Sequence, residues 1–205
     1  MKKWNVMWIL WVGFSLVFLG FASKPSAKEQ EMQKEIAEEI LRFHVLANSD
    51  SEEDQQEKMQ VKYAVVEYLE PILAAAQSKE ETITIINQEL FNIEEIAQEL
   101  VAPREVTVSV ETDWFPEIEY GDCTFPEGIY DTLRIQIGEA EGHNWWCVLY
   151  PGLCFSNAVK PVVTEEGKNL LKNVLDGECF DFLLHPAKTK IRFRLFGLEF
   201  FEKNR

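Results

Sequence analysis

This sequence has little of what most enzymes are built around. There are only three histidines, His44, His143 and His185, and they lie far apart. No G-x-S-x-G elbow, P-loop, H-E-x-x-H or C-x-x-C pattern occurs. Basic residues are also in deficit: Asp and Glu outnumber Lys and Arg 35 to 20, for a formal charge of -15. A nucleic-acid binder needs cations to displace the counterions of phosphate, so that class is excluded. The acidity reads either as solubility through self-repulsion or as an acidic binding face. No internal repeat is present.

The chain has enough apolar sequence to form a core. It is 205 residues long, 46% hydrophobic and 27% charged, which suits one folded domain with an optional helical extension. It begins "MKKWNVMWILWVGFSLVFLGFASKPSAKEQ". Lys2 and Lys3 precede an almost unbroken apolar run from Trp4 to Ala22. Gly20-Phe21-Ala22 has the small residues of a cleavage site, so residues 1–22 read as a signal peptide. The run also approaches the roughly 17–25 apolar residues that a membrane anchor needs. Both readings export the bulk of the chain, with the positive end kept inside. Residues 23–38 then read as a linker or short helix, and 39–205 as a single α+β domain.

Export changes how the cysteines are read. Cys123, Cys147, Cys154 and Cys179 make an even count, and an oxidising compartment permits disulfides. Four cysteines allow three full pairings, among which sequence does not choose.

The hydrophobic period changes along the chain. Glu29 to Glu39 is a short charged helix. In Ile40–Ala47, Leu41, Phe43 and Val45 alternate with Arg42 and His44, as in a half-buried strand with those two on its polar face. A helix is expected from about Ser51 to Ala76, capped by Ser49 or Asp50, with Glu52 or Glu53 closing a capping box. Val61, Val65, Tyr68, Leu69, Ile72, Leu73 and Ala76 form its stripe, and Pro71 predicts a kink or an early end. A second helix covers roughly Lys79–Val101 and is stopped by Pro103. Alternation then marks strands from Val106 to Glu111, Tyr130 to Ile137, Asn144 to Tyr150 and Thr189 to Leu195. A short helix lies near Glu165–Leu175, and Leu198 to Glu202 turns helical. Helices first and strands later imply α+β, with helices packed on a mainly antiparallel sheet.

Cys147 and His143 suggest a thiol–imidazole dyad, but four residues of extended strand span about 13 Å, too far for a hydrogen bond. Zinc on Cys147, Cys154 and a histidine lacks a knuckle spacing. The acidic "DSEEDQQE" lacks the glycine and terminal glutamate of an EF-hand loop, and reads as a capped helix start. His44 reads as a surface or satisfied histidine. The sequence calls for no metal and no cofactor.

The most unusual stretch is "GHNWWCVLYPGLCF". Pro151-Gly152 suits the centre of a type II turn, giving a hairpin with Cys147 and Cys154 on opposite arms. Ideal pairing sets Cys147 one step off Cys154, so the preferred disulfide Cys147–Cys154 needs a slipped or wider turn. Trp145 and Trp146 point to opposite faces of a strand, one into the core and the other exposed beside Tyr150. Two buried faces without a partner is the alternative.

Two stretches, "LRFHVLANSDSEEDQQEKMQVKYAVVEYLEP" and "GEAEGHNWWCVLYPGLCF", resemble the signature regions of the stage II sporulation protein R family. The resemblance covers most of the chain from about residue 38 to 200. Gly152 departs from it, standing where relatives carry a second proline. The resemblance implies a signalling domain, made in the forespore of an endospore-forming bacterium and exported into the space between two membranes. There it would activate a membrane-embedded aspartic protease of the mother cell, which processes the precursor of sigma factor E. The partner-contact candidates are Asn48, Ser49, Asp50, Asp54 and Gln55 in the first region, and Asn144, Trp145 and Trp146 in the second. An exported envelope hydrolase using paired carboxylates is the alternative, although no acid pair stands out. A structural envelope protein is a third reading.

Overall fold

The computed structural model describes residues 26–155 and 162–185, which apart from residues 26–29 belong to the compact unit Gln30–Pro186. The expected export segment, the strand at Thr189–Leu195 and the turn at Leu198–Glu202 lie outside the described residues. No helix among the described residues is long and apolar enough to cross a membrane.

Among the described residues, five helices and a mainly antiparallel sheet make an α+β fold. In chain order these are α1 (Ala27–Glu39), β1 (Leu41–Leu46), α2 (Glu52–Leu73), α3 (Lys79–Val101) and β2 (Val106–Phe115). The small hairpin β3 (Ile118–Tyr120) and β4 (Cys123–Phe125) follows. Then come β5 (Gly128–Ile137), β6 (Asn144–Tyr150), α4 (Glu165–Val174) and α5 (Gly177–Leu184). The main sheet has the order β2-β5-β1-β6. β1 runs parallel to β5 and antiparallel to β6, and β2 runs antiparallel to β5.

The central position of β1 overturns its expected half-burial. All six of its residues are buried, Arg42 and His44 included, because helices and loops cover both faces of the sheet. On one face Leu41, Phe43 and Val45 meet Val61, Val65 and Leu69 of α2 and Ile86, Ile93 and Ala97 of α3. The opposite face carries Met32 and Ile36 of α1, Phe115, Phe125, Tyr130 and Trp146, with Leu171, Phe180 and Leu183 of α4 and α5. Residues 30–38 are therefore part of this packing, through the buried Met32 and Ile36.

Several boundaries differ from expectation for local reasons. Ser51 caps α2, its side chain accepting the Asp54 N–H, where Ser49 or Asp50 was expected. Pro71 lies in the last turn of α2, and the helix ends at Leu73. A separate helix opens at Gly177, because Asp176 caps it through the Cys179 N–H. No hairpin forms across Pro151-Gly152. The Tyr150–Pro151 bond is cis, the Gly152 N–H donates to the Leu149 carbonyl, and the chain enters a 3-10 turn at Leu153–Phe155.

Candidate functional site

The two unusual stretches meet at one end of β1. Leu46 faces Asn144, Val45 faces Trp145 and His44 faces Trp146 in the antiparallel β1–β6 register. The loop from Ala47 to Ser51 thereby lies against the loop joining β5 to β6. The Gly142 N–H donates to the Ala47 carbonyl at 2.9 Å, and the Glu141 N–H to the Asn48 carbonyl at 3.2 Å. Two glycines make this approach possible. A side chain at Gly142 would collide with the Ser49 carbonyl, and one at Gly138 with the Asn48 amide, and Gly138 also has φ of +58°.

Side chains lock the two loops together. Asp54 projects back from the first turn of α2 and is 3% exposed. Its Oδ2 accepts from Asn48 Nδ2 at 2.8 Å and Ser49 Oγ at 2.5 Å. Its Oδ1 lies 2.7 Å from Arg104 Nη2, and Arg104 also grips Glu57. The Ser49 and Asn48 hydrogen bonds, helped by Arg104, hold the Asp54 carboxyl below its usual range. Asn48 uses its oxygen as well, accepting from the Glu139 N–H. Gln55 donates to the Ser49 carbonyl, and Lys58 links Gln55 Oε1 to the His143 carbonyl. Asp50 accepts from both the backbone N–H and Nδ1 of exposed His143, at 2.7 and 2.6 Å.

Of the expected contact residues, Asn48, Ser49, Asp50, Gln55 and Asn144 thus gather around one junction. Asp54 is buried inside it and positions the others. The tryptophans differ from expectation, because both are half-buried. Trp145 packs on the helix-covered face and Trp146 on the opposite one, where it stacks on His44 with ring centroids 5.7 Å apart. Spacing alone did not single out Arg104, Lys58 or Lys62. Lys58 and Lys62 did carry a signal, lying one turn apart beside the apolar positions Val61 and Val65.

The structure contains the Cys147–Cys154 disulfide, with Cα atoms 5.8 Å apart. It ties β6 to the turn after it, so the thiol dyad and the zinc set built on these cysteines are both absent. Cys123 and Cys179 are free and buried. The one group among the described residues close enough to share a metal is Glu35, Asp176 and Cys179. Asp176 already caps α5, and the Cys179 thiol donates to Glu35 at 3.2 Å. Burial pushes that thiol up, which opposes the thiolate a metal requires.

His44 is buried rather than exposed, and its enclosed Nε2 lacks a hydrogen-bond partner. Its Nδ1 lies 3.1 Å from Asp113 Oδ2, and burial outweighs Asp113 in pushing its pKa below 6.5.

Comparison with known proteins draws these observations together. No solved structure matches the chain. The Stage II sporulation protein R of Bacillus subtilis (strain 168) is 34% identical over 199 residues, covering 93% of this chain and 88% of that protein. The family model described as stage II sporulation protein R matches residues 37–160, a span containing β1, the Asn48–Asp54 loop, its partner loop and the disulfide. The chain belongs to the stage II sporulation protein R family.

Proposed function

We propose that this protein is an exported sporulation signal that binds and activates a membrane-embedded aspartic protease, leading to processing of the precursor of sigma factor E. It would act from the space between forespore and mother cell, as a ligand and not as a catalyst. Residues 1–22 would direct export, and would hold the protein to the membrane where they are retained. The observation that carries this reading is the meeting of two distant segments, 47–51 and 138–143, in a single exposed junction inside the family-matching region. A junction built from rigid hydrogen bonds, with Asp50 and His143 at its surface, suits recognition by another protein.

The carboxyl groups also favour a ligand over a hydrolase. A hydrolase of this kind needs one acid pushed up beside one that stays ionised. Among the described residues Asp54, Glu89 and Asp122 are each held below the usual carboxylate range, and they stand apart on α2, on α3 and in the β3–β4 turn.

The test is reconstitution in cells that export the full chain and carry the protease and the precursor. Cleavage that depends on the exported chain is the expected result, and no cleavage with a folded, exported chain would sink the reading. Asp50→Lys reverses an exposed charge at the junction. It is expected to lower cleavage about tenfold, the scale of an interface charge, while the protein stays folded.

A further inference from the structure

Three lysines are buried in the described structure, and they are not alike. Lys58 donates to Gln55 Oε1 and the His143 carbonyl. Lys79 donates to the Ala37 carbonyl and pairs with Asp131 at 3.0 Å. Lys62 has only rings: its nitrogen lies 4.1 Å from the Tyr63 centroid and 5.3 Å from that of Trp145. The residue is 7% exposed, and burial pushes its pKa down. Yet its nitrogen is not among the fully enclosed atoms that lack a partner, so the tip reaches the surface. Tyr63 beside it is 56% exposed.

Ring faces attract an ammonium but do not replace oxygen acceptors for its three N–H donors. A desolvated cation without a counter-ion weakens a fold, and a methionine of similar length would remove that cost. Since no acceptor within the described structure reaches it, an anion completing such a site would come from outside.

We propose that Lys62 receives an aspartate or glutamate carboxylate of the protein partner, carried on an apolar patch that covers Tyr63 and Trp145. This rests on the reading of the chain as a protein ligand, and it names the chemistry of that ligand's contact. A single recessed ammonium flanked by aromatic rings fits one side-chain carboxylate. An anionic bilayer fits poorly, because the chain's formal charge of -15 opposes approach to it.

The experiment compares full-length wild type with Lys62→Met and Lys62→Glu in the same cells. It reads capture of the protease in detergent, precursor cleavage and the thermal midpoint. Lys62→Met is expected to fold with an equal or higher midpoint and to lose about tenfold or more in capture and cleavage. Lys62→Glu is expected to regain function with a protease in which one exported acidic residue is changed to lysine. Full capture and cleavage by Lys62→Met would overturn the proposal. Loss of folding in that variant would do so as well, by placing Lys62 in the core's support. Weaker binding of Lys62→Met than of wild type to phosphatidylglycerol vesicles would overturn it too, in favour of a lipid headgroup. If wild type itself gives no cleavage, the functional reading fails and this inference falls with it.

Discussion

On the sheet face covered by α2 and α3, β1 sets Leu41, Phe43 and Val45 against an almost wholly aliphatic layer. On the opposite face the same strand buries Arg42 and His44 among aromatic rings. The Arg42 guanidinium lies 4.6 Å from the Phe115 centroid, 5.3 Å from Phe125 and 5.4 Å from Tyr130, and none of its nitrogens has a hydrogen-bond partner. One layer is held by area removed from water. The other is held by ring–cation and ring–ring contacts that partly offset buried polarity. Burial alone therefore does not rank the residues of β1 by their contribution to stability.

The largest expected effect separates the two layers directly. Phe43→Ala should cost about 3–5 kcal/mol, since it leaves a cavity in the aliphatic layer. Arg42→Met, next to it in sequence and equally buried, should be close to neutral, because it exchanges a buried unpaired charge for a side chain of similar length. Urea midpoints of the two variants decide the matter, and equal losses would erase the distinction.

A smaller effect is expected at the edge of the aliphatic layer. Ser51→Ala removes the side-chain acceptor that caps α2 and should cost about 1 kcal/mol, read from the same midpoints. A loss well beyond that would mean the cap also supports the Asn48–Asp54 junction.

The subtlest effect belongs to the aromatic layer. Burial lowers the His44 pKa below 6.5, so the unfolded chain binds that proton more readily than the folded one. The contribution of neutral His44 is present above pH 6.5 and is lost as pH falls through its depressed folded value. His44→Gln should flatten that part of the stability–pH curve while leaving stability at pH 8 less affected. An unchanged slope would remove His44 as its source.

Much of the aliphatic layer was legible because helical spacing and strand alternation both report burial on one side. α3 runs from Lys79 to Val101 as its stripe and the following proline imply, and β6 spans Asn144–Tyr150 as its alternation implies. The aromatic layer was not legible in the same way. Arg42 and His44 occupy alternate positions that look like a solvent face, and only the central place of β1 in the sheet buries them. The β3–β4 hairpin and α5 were missed because three-residue strands and an eight-residue helix are too short to establish a period. The candidate site was legible in part. Its two segments stand out by composition, whereas Arg104 becomes visible only when the turn after α3 is packed against Asp54 and Glu57 of α2.

The sequence by itself determined the α+β class, the helical stripes, the nearness of Cys147 to Cys154, and the two motifs that mark the family. These depend on residue type and on spacing along a single element, which local sterics and burial translate directly. Tertiary structure alone decided that β1 is central, that both tryptophans are half-buried, and that Asp54 points inward to bind Asn48, Ser49 and Arg104. It also decided that Lys62 is held between two rings without an acceptor. Each of those outcomes depends on which distant segment arrives beside a residue, and no local period carries that information.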